Sequence, residues 1–272
     1  MSHIAVTITC APGLTDVLIA QLSDAGYEGF EEKTGQLIAY IPAGQFDEAA
    51  LVALLPPSGT TFTKEEIRPV NWNALWESNF EPVLVGSFCG IRAGFHPPFA
   101  PAPEHEIVIT PKMSFGTGHH ATTFSMIQLM QQQDLAGRKV FDFGTGTGIL
   151  AILAARMGAA QVDAIDIDDW AVENSRENIA GNNVPQVCIW QADSLQDITG
   201  LYDVVLANIN RNVLLQSMPD MRRLLAPGGQ LLLSGILVAD EPEILDSAAA
   251  QGLLKQRRVE KDNWLALSLL TR

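Results

Sequence analysis

The feature that most constrains this chain is Asp142-Phe143-Gly144-Thr145-Gly146-Thr147-Gly148, which runs on from the apolar stretch Val140–Phe143 into the helical pattern Ile149–Met157. Glycine at every second position lets the backbone turn tightly and approach a ligand with no side chain in the way. The residues that follow repeat the strand-then-helix theme. Gln161–Asp166 reads as a strand, Trp170–Ala180 as a helix, and Val187–Trp190 and Asp203–Ala207 as strands. Val213–Leu225 reads as a helix and Gln230–Leu233 as a strand after Pro227-Gly228-Gly229, while Ala121–Gln133 supplies a helix ahead of the glycine turn. Short apolar runs separated by helices predict a mostly parallel sheet covered on both faces, an α/β fold. Leu253–Val259 and Trp264–Leu270 instead flank Lys261-Asp262-Asn263 and predict an antiparallel pair closing that sheet.

The first seventy residues read as a separate unit. Ile4, Val6 and Ile8 alternate as in a half-buried strand, and Leu14, Val17, Leu18 and Leu22 recur at helical spacing until Gly26. A short strand near Phe30 and Leu37–Ile41 flank a Thr34-Gly35 turn, Phe46–Leu55 is a second helix ended by Pro56-Pro57, and Thr61–Ile67 is a last strand. The order β-α-β-β-α-β predicts a small ferredoxin-like α+β domain over residues 1–70. It holds no catalytic constellation, which suits a recognition module. Residues 71–80, with Trp72, Trp76 and Phe80 at helical spacing, form an expected helical linker to a larger domain over 81–272. The Pro-rich stretch His96–His105 reads as a surface loop.

Composition narrows the function classes. The formal net charge is −14, so the surface repels phosphate backbones, and no Lys/Arg cluster typical of nucleic-acid binders stands out. Strong direct nucleic-acid binding is not expected, whereas a basic protein substrate would be attracted; general acidity for solubility explains the charge equally well. Cys10, Cys89 and Cys188 have neither disulfide nor zinc-ligand spacing, so no metal is expected. The start MSHIAVTITCAPG lacks the features of a signal peptide, and the longest apolar run, around Leu231–Ala239, is too short to span a bilayer. A soluble, cytoplasmic protein is the expectation.

The glycine turn is not a dinucleotide fingerprint. That motif wants its third glycine three positions after the second, where Ile149 stands. A turn spaced G-x-G-x-G suits an adenosyl-amino-acid ligand with no pyrophosphate to cradle, although glycines also serve plain strand-helix packing. Asp166 ends the next strand, where a carboxylate can accept hydrogen bonds from ribose hydroxyls. A strand-end Asp can instead cap the following helix, but Asp168 or Asp169 fits that role better. Asn208, in Ala207-Asn208-Ile209-Asn210 at the end of the fourth strand, lies where ligands of open α/β sheets bind. Its amide oxygen could accept from a substrate amine, and a turn-forming Asn is the plainer alternative.

Taken together, D-F-G-T-G-T-G-I-L-A-I, A-I-D-I-D, V-V-L-A-N-I and L-A-P-G-G follow the order and spacing of class I methyltransferases. With S-F-G-T-G-H-H-A-T-T (Ser114–Thr123), W-x-x-x-W-x-x-x-F-x-P (Trp72–Pro82) and S-G-I-L (Ser234–Leu237), nearly the whole chain resembles the ribosomal protein L-eleven methyltransferase family, PrmA. The F-G-T-G-H segment is the most family-specific piece.

The resemblance implies a Rossmann-like, mostly parallel seven-stranded sheet and S-adenosyl-L-methionine as methyl donor. Donor contacts would fall on Thr123, Gly144, Asp166 and Asn208, with Thr145 and Gly146 in the loop that seats the methionine part. It implies repeated transfer to the N-terminal α-amine and lysine amines of the ribosomal protein, gripped by the N-terminal domain. Asn208 would orient the amine as the catalytic residue. The chain lacks the two prolines that follow this asparagine in many amino-methylating enzymes, which leaves the geometry at Asn208 open. His119 and His120 are read as lining or packing residues, because an amine can lose its proton to water. Rival readings are a nicotinamide dehydrogenase, opposed by the glycine spacing; a methyltransferase for RNA or a small molecule; and a non-catalytic cofactor-binding protein, opposed by the presence of both Asp166 and Asn208.

Overall fold

The computed structural model describes residues 2–10, 14–33, 35–55, 61–67, 80–112, 116 and 118–271. The chain divides into two compact units, Met1–Leu75 and Trp76–Arg272. The expected linker helix falls almost wholly outside the described residues, Phe80 excepted.

The first unit runs β1 (His3–Thr9), α1 (Thr15–Asp24), β2 (Gly29–Lys33), β3 (Gln36–Pro42), α2 (Glu48–Leu54) and β4 (Thr61–Ile67). Its antiparallel sheet has the order β2-β3-β1-β4, the ferredoxin-like arrangement expected from the element order. Val6 and Ile8 of β1 and Leu37, Ala39 and Ile41 of β3 pack on Leu18 and Leu22 of α1 and Leu51 of α2. The second helix begins two residues later than its apolar pattern suggests. Asp47 accepts from the N–H groups of Ala49 and Ala50 at 2.8 and 3.2 Å, and this cap leaves Phe46 outside the helix.

The second unit begins with a three-stranded sheet that periodicity does not reveal: β5 (Val83–Val85), β6 (Cys89–Ala93) and β7 (His105–Ile109). The Pro-rich stretch between β6 and β7 is a loop, as expected. There follow α3 (Ala121–Met130), β8 (Lys139–Phe143), α4 (Ile149–Arg156), β9 (Gln161–Asp166), α5 (Asp169–Gly181) and β10 (Val187–Gln191). The chain continues through β11 (Tyr202–Asn208), α6 (Arg211–Leu224), β12 (Leu225–Leu237), α7 (Glu241–Ala250), β13 (Leu253–Lys261) and β14 (Trp264–Thr271). Helix α7 is another element the apolar pattern leaves unannounced.

The main sheet has seven strands in the order β10-β9-β8-β11-β12-β14-β13. Strands β8 to β12 pair in parallel and β14 pairs antiparallel with both neighbours. Successive residues of β11 face opposite cores. Val204 and Leu206 pack in the cluster with α4 residues, and Val205 and Ala207 in the cluster with α6 residues. That is why the strand reads as one unbroken apolar run. Strand order reverses between β8 and β11, and the crevice beyond their C-terminal ends is where an open α/β sheet takes its ligand.

Strand β13 carries Lys255, Arg257, Arg258 and Lys261, a basic row that the view of scattered charges overlooks. Its charge is largely neutralised: Glu241 pairs with Lys255 and Arg258, and Asp262 with Lys261. No helix among the described residues is long and apolar enough to cross a membrane.

Candidate active site

A cavity of about 460 Å³ opens at the switch between β8 and β11, a size suited to a ligand of drug-like dimensions. Gly144, Thr145, Gly146, Asp166, Asn208 and Thr123 all line it, so six residues read from sequence as site candidates meet in one place.

The glycine loop owes its shape to the glycines. Gly144, Gly146 and Gly148 have φ of 73°, 58° and 82°, a region costly for L side chains. A Cβ on Gly144 would stand 2.3 Å from Ile209 Cγ2, so this glycine also admits the chain that follows β11. The N–H groups of Gly144 and Thr145 donate to the Ile165 carbonyl at 2.9 and 3.0 Å. Gly146 N–H donates to Asp166 Oδ2 at 2.8 Å.

Asp166 is therefore busier than its position at a strand end implies. Oδ1 accepts from Asp168 N–H at 3.0 Å while Oδ2 holds the loop. Each carboxylate oxygen keeps a further lone pair, and the group lines the cavity. The helix cap is Asp168, which accepts from Trp170 N–H at 2.9 Å.

Asn208 ends β11 opposite Ser234 of β12, fixed there by the bond from Ile209 N–H to the Ser234 carbonyl at 3.2 Å. Its Nδ2 donates to Thr123 Oγ1 at 3.3 Å. Its Oδ1 is buried with no hydrogen-bond partner among the described residues. The turn-forming alternative belongs to the neighbour instead: Asn210 caps α6 by accepting from Val213 N–H at 3.1 Å. Thr123 is placed at the cavity as expected, with its hydroxyl oxygen already engaged by Asn208.

Several contributors escape a reading by motif. Gly235, φ 89°, sits where β12 shifts register against β14, and a Cβ there would meet the Ile209 carbonyl oxygen at 2.1 Å. Trp264 lines the cavity from the start of β14, its ring 4.8 Å from that of His120. His120 lines the cavity and caps α3 by accepting from Thr122 N–H, and His119 meets the Phe80 ring edge-on at 4.9 Å. Asp142, beneath the loop, is 1% exposed. Its Oδ2 accepts from Thr145 Oγ1 at 2.6 Å, and the backbone N–H of Ala151 also acts on the carboxyl. Burial pushes its carboxyl up to about 7, the charge of Asp166 adding to the effect and the Thr145 hydrogen bond opposing it. The signal for Asp142 was its place in the buried strand Val140–Phe143, two residues before the first glycine.

A seven-stranded sheet of this order, a G-x-G-x-G turn after β8 and an acidic residue ending the next strand define a class I methyltransferase fold. The sequence model described as Ribosomal protein L11 methyltransferase (PrmA) matches residues 20–272. A "Ribosomal protein L11 methyltransferase" of Phocaeicola vulgatus is 40% identical over 280 residues, covering 99% of this chain and 99% of that protein. One of the same name from Porphyromonas gingivalis is 42% identical over 259 residues, covering 93% and 89%. The crystal structure of a ribosomal protein L11 methylase from Lactobacillus delbrueckii subsp. bulgaricus aligns with a TM-score of 0.65 at 27% identity, covering 71% of this chain and 100% of that one. This chain belongs to the ribosomal protein L11 methyltransferase family, PrmA.

Proposed function

We propose that this protein transfers methyl groups from S-adenosyl-L-methionine to amines of ribosomal protein L11, at its N-terminal α-amine and lysine side chains. The observation that carries the reading is the buried Asn208 Oδ1, an acceptor with no partner among the described residues at the wall of a cavity built on a glycine loop. A buried polar atom without a partner is costly unless a ligand supplies one. An amine N–H of the substrate would satisfy it.

The residues present fit the donor. The loop Gly144–Gly146, whose one side chain, Thr145, is engaged by Asp142, admits an adenosyl-amino-acid, and Asp166 keeps lone pairs for its ribose hydroxyls. When bound, S-adenosylmethionine supplies a methyl group already activated by its sulfonium. The protein's part is orientation and exclusion of water. Asn208 Oδ1 accepts from the attacking amine, directing its lone pair away from the amide and along the line of transfer. That hydrogen bond strengthens as the nitrogen gains positive charge, so it favours the transition state over bound substrate. The amine attacks as the neutral base, and entry into an apolar cavity favours that form. The net charge of −14 suits a basic protein substrate. Residues 1–70 are assigned its recognition, with 71–80 linking them to the catalytic domain at 81–272.

The test is incubation with labelled S-adenosylmethionine and separated ribosomal proteins and RNAs. Label should appear in L11. Label confined to RNA or to small molecules would overturn the substrate assignment.

A further inference from the structure

Asn174 and Asn178 of helix α5 and Asn182 at its C-cap are spaced one turn apart, and all three are buried. They pair mainly with backbone and not with each other's side chains, although Arg156 also donates to Asn182 Oδ1 at 3.4 Å. Asn182 Oδ1 accepts from Val108 N–H at 3.0 Å and its Nδ2 donates to the Val108 carbonyl at 2.6 Å. Asn174 Nδ2 donates to the Thr110 carbonyl at 3.1 Å. The row thus occupies the side of β7 that lacks a strand neighbour.

Asn178 does something its neighbours do not. Its Oδ1 accepts from Thr110 N–H at 2.8 Å, while its Nδ2 donates to the Thr147 carbonyl in the glycine loop at 2.8 Å. Both partners are backbone groups of fixed polarity, so the amide has one orientation. Thr147 extends the link, its Oγ1 donating to the Gly116 carbonyl at 2.7 Å. Gly116 lines the cavity in the stretch that leads to Thr123. One buried amide therefore ties the glycine loop to Thr110, and the loop in turn holds Gly116 of the cavity wall.

We propose that Asn178 is a positioning residue for methyl transfer, holding the glycine loop at a fixed spacing from Thr110 at the end of β7. The inference rests on the reading of this cavity as the donor site. Asn178→Asp isolates the effect, because a carboxylate still accepts from Thr110 but turns an acceptor toward the Thr147 carbonyl. Asn182→Asp is the companion variant: it disturbs the same row at Val108 and touches no residue of the cavity.

The experiment measures Tm, donor affinity by calorimetry, and kcat and KM for S-adenosylmethionine, all on the full chain well below Tm. Asn178→Asp should raise Kd and KM for the donor about tenfold, the loss of roughly one hydrogen bond. Asn182→Asp should lower Tm comparably and leave both constants unchanged. Equal loss of donor affinity in the two variants, or unchanged affinity in folded Asn178→Asp, overturns the positioning role alone. A wild-type protein that takes no donor overturns the cavity reading and the positioning role together.

Discussion

Asn208 and Thr123 are 85 residues apart in sequence and joined by a single hydrogen bond, Nδ2 to Oγ1 at 3.3 Å. With its amino end held there, the Asn208 amide presents a bare oxygen. Asn208→Ala should cut kcat by about tenfold to a hundredfold, the worth of a hydrogen bond to a group gaining charge, and change donor affinity little. Steady-state kinetics with titration of the donor would show the split. Turnover near wild type at saturating substrate would remove the orienting role.

Thr123→Val deletes the acceptor that fixes the Asn208 amide. Turnover should fall by a few-fold to about tenfold, and Thr123→Ser should restore it. A serine variant as slow as the valine one would mean that the methyl group, not the hydroxyl, is what matters at this position.

Asp166→Ala removes both the ribose acceptor and the anchor of Gly146 N–H. Donor binding should weaken by roughly 1.5–3 kcal/mol, with a measurable drop in Tm, because the loop loses its tie to β9. Calorimetric titration and thermal melts check the two effects separately. Unchanged affinity in a folded variant would take Asp166 out of the site.

Asp142 gives stability a pH signature. Its carboxyl titrates near 7 in the folded protein against an ordinary value of 3.8, so between those limits the folded state binds more protons than the unfolded one. The contribution is present in full below about pH 4, falls as pH rises, and is gone above about pH 7. Asp142→Asn should abolish this slope, leaving the variant close to wild type at low pH and more stable than it at pH 8. Denaturant melts of both proteins between pH 4 and 8 would reveal parallel curves if the carboxyl is ionised throughout.

Gly144→Ala should destabilise by about 2 kcal/mol or more, since alanine at φ 73° is strained and its Cβ drives Ile209 from its seat. The displaced Ile209 lines the cavity, so donor affinity should fall as well. A melt and a donor titration on one preparation suffice.

What the sequence revealed depended on how locally each feature is encoded. Val140–Phe143, Gln161–Asp166 and Asp203–Ala207 are largely buried, and short apolar-rich runs between helices announce such strands. The site residues Gly144, Asp166 and Asn208 sit at strand ends, where backbone geometry dictates residue type. Strand β5 escaped because Val83–Val85 is too short to show a period, and α7 because Glu-Pro-Glu followed by mostly small residues has a weak apolar stripe. The buried asparagines of α5 were legible only as spacing, since a polar residue on a helix normally faces water. Gly235 and Trp264 needed the register of β12 against β14, which no local pattern supplies.

Strand β14 follows β13 in sequence yet lies between β13 and β12. While the chain is being synthesised, β13 has no partner in the sheet until β14 has emerged, so a nascent polypeptide can complete strands β8 to β12 but not close the far edge. Trp264 begins that late strand and forms part of the cavity wall. The pocket is therefore finished only once β14 has been made, and a translating chain carries the glycine loop long before it carries a complete site.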